Sequence, residues 1–259
     1  MSVRWPCARA RSGLRPGTSR SECGPLAAPR RWISAIESVL PVGENGCRPQ
    51  SLLVRVSAVT LWVKICGLTT DEGIAAAVAA GADAVGFVFA PSKRQVTAQR
   101  AAELARHVPS HVTRVAVMQH PVQALLDEIW TIFRPDVLQT DAEDLESLVV
   151  PAGLAVMPVL RAGHMRAGSL PQRFLFEGPV SGAGEAADWN AAAELARRSQ
   201  LILAGGLHPA NVADAVRRVR PFGVDVSSGV EREPGIKDAA KIAQFVRAAR
   251  TSTPALLSE

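Results

Sequence analysis

An α/β fold of the (β/α)8 type, a TIM barrel, is the class this sequence of 259 residues predicts, on three observations. From Leu61 onward, eight short apolar segments alternate with segments whose apolar residues recur at i, i+3, i+4 and i+7. The alternation occupies about 200 residues, near the lower size limit of such barrels. The last two strand segments each run into a glycine loop, Ala204-Gly205-Gly206-Leu207 and Ser227-Ser228-Gly229-Val230. Loops seven and eight are where these barrels commonly gather backbone N–H groups around a phosphate. A doubly wound open sheet shares the alternation and is the alternative. One Gly-Gly pair would equally serve a turn, but two glycine loops on consecutive strand ends favour the barrel and a phosphate site at Gly205, Gly206, Ser228 and Gly229.

The strand segments are, in order, Leu61–Cys66, Ala84–Phe89, Thr113–Met118, Val137–Gln139, Ala155–Val159, Arg173–Glu177, Leu201–Ala204 and Gly223–Val226. After the first, Gly67 permits a tight turn, and Thr69 with Glu72 three residues on has the form of a capping box that opens a helix through Ile74 to Ala80. Helical spacing recurs in Ala101/Leu104/Ala105/Val108, Val212/Ala215/Val216/Val219 and Ile242/Phe245/Val246/Ala249. Each strand is expected to carry a helix after it. The fifth, following Arg161, is interrupted by Gly163 and Gly168. The barrel is therefore assigned to residues 61–250, with a tail over 251–259.

Residues 1–60 read differently. They are rich in Arg, Ser, Pro and Gly and show no sustained apolar period beyond a short helical stretch over 33–40, a composition that cannot offset its ordering entropy. A low-order extension is expected. It carries nine arginines and no lysine against three glutamates and no aspartate, a balance of +6 that leaves −1 for the rest of a chain of net charge +5. The basic balance therefore belongs to the extension, and the barrel has no basic stripe of the kind that binds nucleic acid. Arginine-rich, acid-poor character fits an organelle transit peptide, and it fits translation from upstream of the native start. The lack of amphipathic order among the arginines favours the second. Cys7, Cys23 and Cys47 lie here at spacings that match neither a disulfide framework nor a zinc site. No apolar run approaches the roughly 20 residues of a membrane span.

The barrel segment has one cysteine, Cys66, at the carboxyl end of its first strand, where parallel α/β folds place their chemistry. A buried small hydrophobe is the alternative for any isolated cysteine. Lys64, two residues back, points to the same side of the strand. A buried ammonium there would pull the thiol toward thiolate, or would pair with an acid such as Asp225 on strand eight, and the two are compatible.

Five motifs bear on function: Lys64-Ile65-Cys66-Gly67-Leu68-Thr69, Gly81-Ala82-Asp83-Ala84-Val85-Gly86-Phe87-Val88-Phe89, Ser92-Lys93-Arg94-Gln95-Val96, Leu203-Ala204-Gly205-Gly206-Leu207 and Gly223-Val224-Asp225-Val226-Ser227-Ser228-Gly229-Val230-Glu231. In order and content they resemble the phosphoribosylanthranilate isomerase family, over residues 61 to about 248. The resemblance implies an Amadori rearrangement of N-(5-phosphoribosyl)anthranilate in tryptophan biosynthesis, which needs one general acid and one general base. It puts Cys66 in the position of the base and Glu177 in that of the acid. It places Arg94 on the anthranilate carboxylate, where a guanidinium fork suits the geometry. Asp225 is assigned either to the ribose hydroxyls or to the barrel floor. No metal or other cofactor is implied, and the expected partner is a small phosphorylated substrate, with no nucleic acid or membrane. A cytoplasmic monomer or homodimer is expected.

Two departures from the family pattern stand out. Its acid is usually an aspartate at the end of strand six, whereas Phe174-Leu175-Phe176-Glu177 supplies a glutamate; the glycine loop and Asp188-Trp189 that follow keep the alignment. Where the family reads Gln-Leu-His-Gly after strand four, this chain has Gln139-Thr140-Asp141-Ala142. The five histidines show no metal-binding spacing, and Pro109 separates His107 from His111. Two other functions compete. The related phosphoribosyl-amine isomerisation of histidine biosynthesis starts strand one with an aspartate, which Cys66 is not. A non-catalytic phosphate-binding barrel would be free to lose Cys66 and Arg94.

Overall fold

A strand covered on both faces is largely apolar on both, and the strand segments of this chain follow that pattern apart from a few buried polar residues such as Lys64 and Asp225. In the computed structural model, which describes residues 60–161, 170–178 and 187–252, they close into a barrel in chain order. The strands are β1 (Trp62–Cys66), β2 (Ala84–Val88), β3 (Thr113–Val117), β4 (Val137–Asp141), β5 (Ala155–Arg161), β6 (Arg173–Glu177), β7 (Gln200–Leu203) and β8 (Gly223–Val226). All pairings are parallel, and β1 joins β2 on one side and β8 on the other, with Lys64 opposite both Ala84 and Asp225. The open-sheet alternative is thereby excluded. Outside the described residues lie the expected extension apart from Thr60, with its three cysteines and helical stretch, the interrupted helix after Arg161, the glycine loop over 181–186 and most of the tail.

Among the described residues six α-helices cover the barrel: α1 (Asp71–Ala79), α2 (Ala98–Ala105), α3 (Gln123–Ile132), α4 (Trp189–Ala196), α5 (Val212–Val219) and α6 (Ala239–Thr251). Their inner faces, for example Ile74 and Ala77, Leu126 and Ile129, Val212 and Val216, are almost wholly excluded from solvent. Phe87 of β2 meets Phe133 edge-to-face at 5.0 Å, which locks α3 onto the sheet. No described helix is long and apolar enough to cross a membrane.

Two expectations need correction. The N-cap of α1 is Thr70, whose hydroxyl accepts from the Gly73 N–H at 3.1 Å, while the Thr69 hydroxyl donates to the Gly235 carbonyl at 2.8 Å. A Thr-Thr pair offers two caps, and the second wins because a tertiary partner claims the first. After β4 there is no α-helix, only a 3-10 turn over Asp144–Glu146. Between β4 and β5 the chain has just thirteen residues, including Pro151 and Gly153, too few for a helix that packs back.

Past β8 the chain adds a hairpin absent from the strand reading, β9 (Glu231–Glu233) and β10 (Ile236–Lys237). At the opposite end of the barrel, Asp83 accepts from the Val63 N–H and from Arg250 of α6, both at 2.9 Å, so the last helix is pinned to the β1–β2 seam.

Candidate active site

Strand polarity carries the ionisable residues to one end. Cys66, Asp141, Arg161 and Glu177 are the last residues of β1, β4, β5 and β6, and all line one cavity at the carboxyl mouth of the barrel, together with Arg94 and Asp225.

On the β1 side, Lys64 is fully buried and its Nζ donates to Asp225 Oδ1 at 2.8 Å. Gly86 makes room for both neighbours: a Cβ there would lie 3.0 Å from Cys66 Sγ and 3.1 Å from Lys64 Cε. Burial pulls the Lys64 ammonium down, but the Asp225 carboxylate and the Cys66 sulfur outweigh it, so Lys64 titrates above its ordinary value and is a cation. For Cys66 burial is again the largest influence, and it pushes the thiol up. Lys64 and Lys237 oppose it and Asp225 adds to it, with a net rise. Lys64 thus acts in the direction the sequence argument required, yet the expected lowering of the thiol is not reached, because desolvation of an enclosed sulfur is the stronger effect. Both readings of Lys64, partner of Asp225 and cation beside the thiol, hold together.

Arg94 comes from the loop between β2 and α2. Gly67, at φ +72°, leaves it passage, since a Cβ at that position would stand 2.5 Å from Arg94 Cδ. Glu231 receives Arg94 Nε at 2.7 Å and Nη2 at 3.0 Å. Lys237 Nζ donates to the same carboxylate at 2.8 Å and to the Ser227 carbonyl at 3.0 Å. Burial raises the Glu231 carboxyl, but Arg94 and Lys237 outweigh burial and hold it at about 2. Ser227 in turn donates to the Cys66 carbonyl at 3.1 Å. Lys93 is exposed.

The two glycine loops sit side by side. Gly205 and Gly206 have φ of +86° and +63°, conformations that side chains resist, and both line the cavity with Ser227 and Ser228. Gly229 packs against the Leu207 carbonyl oxygen so closely that a Cβ would fall 2.0 Å from it.

On the far side, Arg161 bridges two carboxylates, with Nη1 2.6 Å from Asp141 Oδ1 and Nη2 3.1 Å from Glu177 Oε1. The register that sets Arg161 opposite Glu177 builds this pair. Asp188, the other acid close to the motif, accepts from Asn190 and Ala191 as the N-cap of α4. His120 approaches Asp141 at 3.7 Å and bonds Asp144 at 2.8 Å, a His-Asp-Asp group that no spacing in the sequence announces. Its donors are already engaged, Asp144 with Thr140 and His120, Asp141 with Arg161. His107 and His111 are exposed.

Every site residue read from the sequence thus lies at this mouth or in its loops. Arg161, Glu231, Lys237 and His120 were missed. Arg161 had a usable signal, since a strand-end arginine beside a strand-end glutamate is a barrel-mouth pair once the strands are aligned.

A closed parallel barrel with its ionisable groups at the carboxyl mouth defines a TIM-barrel enzyme. Comparison with known proteins narrows the class. The family model for N-(5'-phosphoribosyl)anthranilate (PRA) isomerase matches residues 63–248, and the chain belongs to that family. It is 42% identical over 187 residues to an N-(5'-phosphoribosyl)anthranilate isomerase of Streptococcus pneumoniae, covering 71% of this chain and 93% of the relative. Against the protein of the same name from Bordetella pertussis the identity is 42% over 212 residues, with 73% and 95% covered. The phosphoribosyl anthranilate isomerase of Thermotoga maritima superposes with a TM-score of 0.65 at 30% identity, over 74% of this chain and 99% of that one. A phosphoribosyl anthranilate isomerase in complex with reduced 1-(o-carboxyphenylamino)-1-deoxyribulose 5-phosphate gives 0.62 at 30% identity, over the same shares.

Proposed function

We propose that this protein isomerises N-(5-phosphoribosyl)anthranilate to 1-(2-carboxyphenylamino)-1-deoxyribulose 5-phosphate, a step of tryptophan biosynthesis, in the cytoplasm and as a monomer or homodimer. The observation that carries the reading is the convergence on one cavity of a thiol from β1 and a carboxyl from β6, with a guanidinium and paired glycine loops beside them.

Each group has a task that suits its chemistry. Backbone N–H groups of the loops at Gly205-Gly206 and Ser228-Gly229 receive the phosphate, and Arg94 receives the anthranilate carboxylate. Glu177 donates a proton to the ribose ring oxygen as the C1′–O bond breaks, and the nitrogen lone pair forms the Schiff base. Cys66, as thiolate, removes the proton at C2′; the electron pair left behind forms the C1′–C2′ double bond and neutralises the nitrogen. The resulting enol-amine becomes the ketone when the C2′ hydroxyl loses its proton and C1′ gains one. Lys64 favours the thiolate from below. Asp225 holds Lys64 in place and, lining the cavity, stands within the region of the ribose.

Fluorescence of the substrate, which fades on conversion, tests the assignment. Cys66→Ala should abolish turnover with little change in folding, because it removes the base and only a small volume. Glu177→Gln should lower kcat by at least about 10²-fold with substrate binding little changed, while Glu177→Asp retains substantial activity. Wild-type turnover in Cys66→Ala would overturn the assignment of the base, and in Glu177→Gln that of the acid.

A further inference from the structure

An arginine meant for a carboxylate must be aimed, because a guanidinium has five N–H donors on two usable edges and sits on a long stem with many rotamers. Arg94 stands on a loop, with no strand to fix its side chain. What fixes it is Glu231. The carboxylate occupies the edge formed by Nε and Nη2, at 2.7 and 3.0 Å, and leaves the other edge, Nη1 with the second Nη2 proton, unclaimed by it. Glu231 is itself immobilised: its side chain is 5% exposed, Lys237 holds Oε1 at 2.8 Å, and Lys241 donates to its backbone carbonyl at 2.7 Å.

The hairpin β9–β10 places this carboxylate and also touches the arginine's own loop. At its turn Gly235, with φ +89°, lies against the Lys93 carbonyl, so that a Cβ would come within 2.6 Å of that oxygen. The Gly235 carbonyl accepts from Thr69 of the β1–α1 loop. The loops after β1 and β2 are therefore braced through one small hairpin that is no part of the barrel itself. Two cations, Arg94 and Lys237, surround one buried anion, which leaves one positive charge in excess at this point.

We propose that Glu231 is a positioning residue for substrate carboxylate recognition: it presets the Arg94 guanidinium so that its free edge meets the anthranilate carboxylate, and the hairpin exists at this point to hold it. The inference rests on Arg94 being the carboxylate anchor. Selectivity for a carboxylated aromatic amine over a plain one then depends on a residue that touches no substrate atom.

The test uses the full chain and two probes, the reduced product analogue 1-(o-carboxyphenylamino)-1-deoxyribulose 5-phosphate and its counterpart lacking the ring carboxyl, with binding measured by calorimetry beside steady-state kinetics. Glu231→Gln should raise KM about tenfold with kcat within about threefold. It should weaken the carboxylated probe by a similar factor and leave the other unchanged. Adding Glu231→Gln to Arg94→Ala should cost nothing more for the carboxylated probe. Equal weakening of both probes, or a fall in kcat at constant KM, would make Glu231 merely structural and overturn the proposal. If Arg94→Ala also weakens both probes equally, the anchor reading fails; if Arg94→Ala discriminates and Glu231→Gln does not, only the present proposal fails. Should Glu231→Gln not fold, Glu231→Asp, which keeps the charge but withdraws it by one methylene, must show the same selective loss in smaller degree.

Discussion

Cys66 is pulled two ways, upward by burial and downward by the ammonium groups of Lys64 and Lys237. In the proposed role of base Cys66 must be deprotonated to act, so a thiol held above its ordinary value would make kcat/KM climb with pH into the alkaline range. Replacing the buried pair by neutral residues, Lys64→Met with Asp225→Asn, removes the stronger lowering influence along with a weaker raising one. The alkaline climb should then move to still higher pH. A pH–rate profile checks both points, and a climb complete below neutrality would contradict the first. Cys66 and Glu177 were legible because strand ends are legible and chemistry in parallel barrels sits there. Glu231 ends its motif with no role legible in it, since its partner Arg94 is 137 residues away and no local pattern joins them. Asp141 looked like a lost histidine contact. The fold gives it Arg161 as partner and brings His120 beside it.

Elements were legible where burial dictates composition. Each expected strand is found to within two residues at either end, because sheet residues covered on both faces leave little choice of side chain. Helices on the barrel's outer face announce themselves by period, and α2, α5 and α6 follow theirs. The cap of α1 falls one residue past the one the spacing predicts, as Thr69 and Thr70 are equivalent to any local rule and a contact 166 residues distant separates them. Thr70→Ala should consequently cost about 1 kcal/mol in urea unfolding, the usual value of a lost N-cap. Thr69→Ala should leave α1 intact and loosen instead the hairpin carbonyl it holds, detectable as faster amide exchange near Gly235. The short link after β4 misled because alternation counts elements without measuring the chain available to build them.

For the molecule as a whole, the whole ring of strands falls between Trp62 and Val226, and α6 closes it from outside through Arg250 and Asp83. A chain shortened to begin at Thr60 keeps every described element. It should match the full chain in turnover and in melting temperature, compared by the same fluorescence assay and by calorimetry; loss of either would show that the removed segment contributes to the barrel.

The contact between Gly229 and the Leu207 carbonyl has a further consequence for how such a site can be rebuilt. Two loops from different strands meet backbone to backbone with no side chain to absorb a mismatch. Neither can be exchanged for its counterpart from another barrel without carrying the other along. Any graft, recombination or redesign must therefore move this pair as a single module, cut outside β7 and β8 rather than between them.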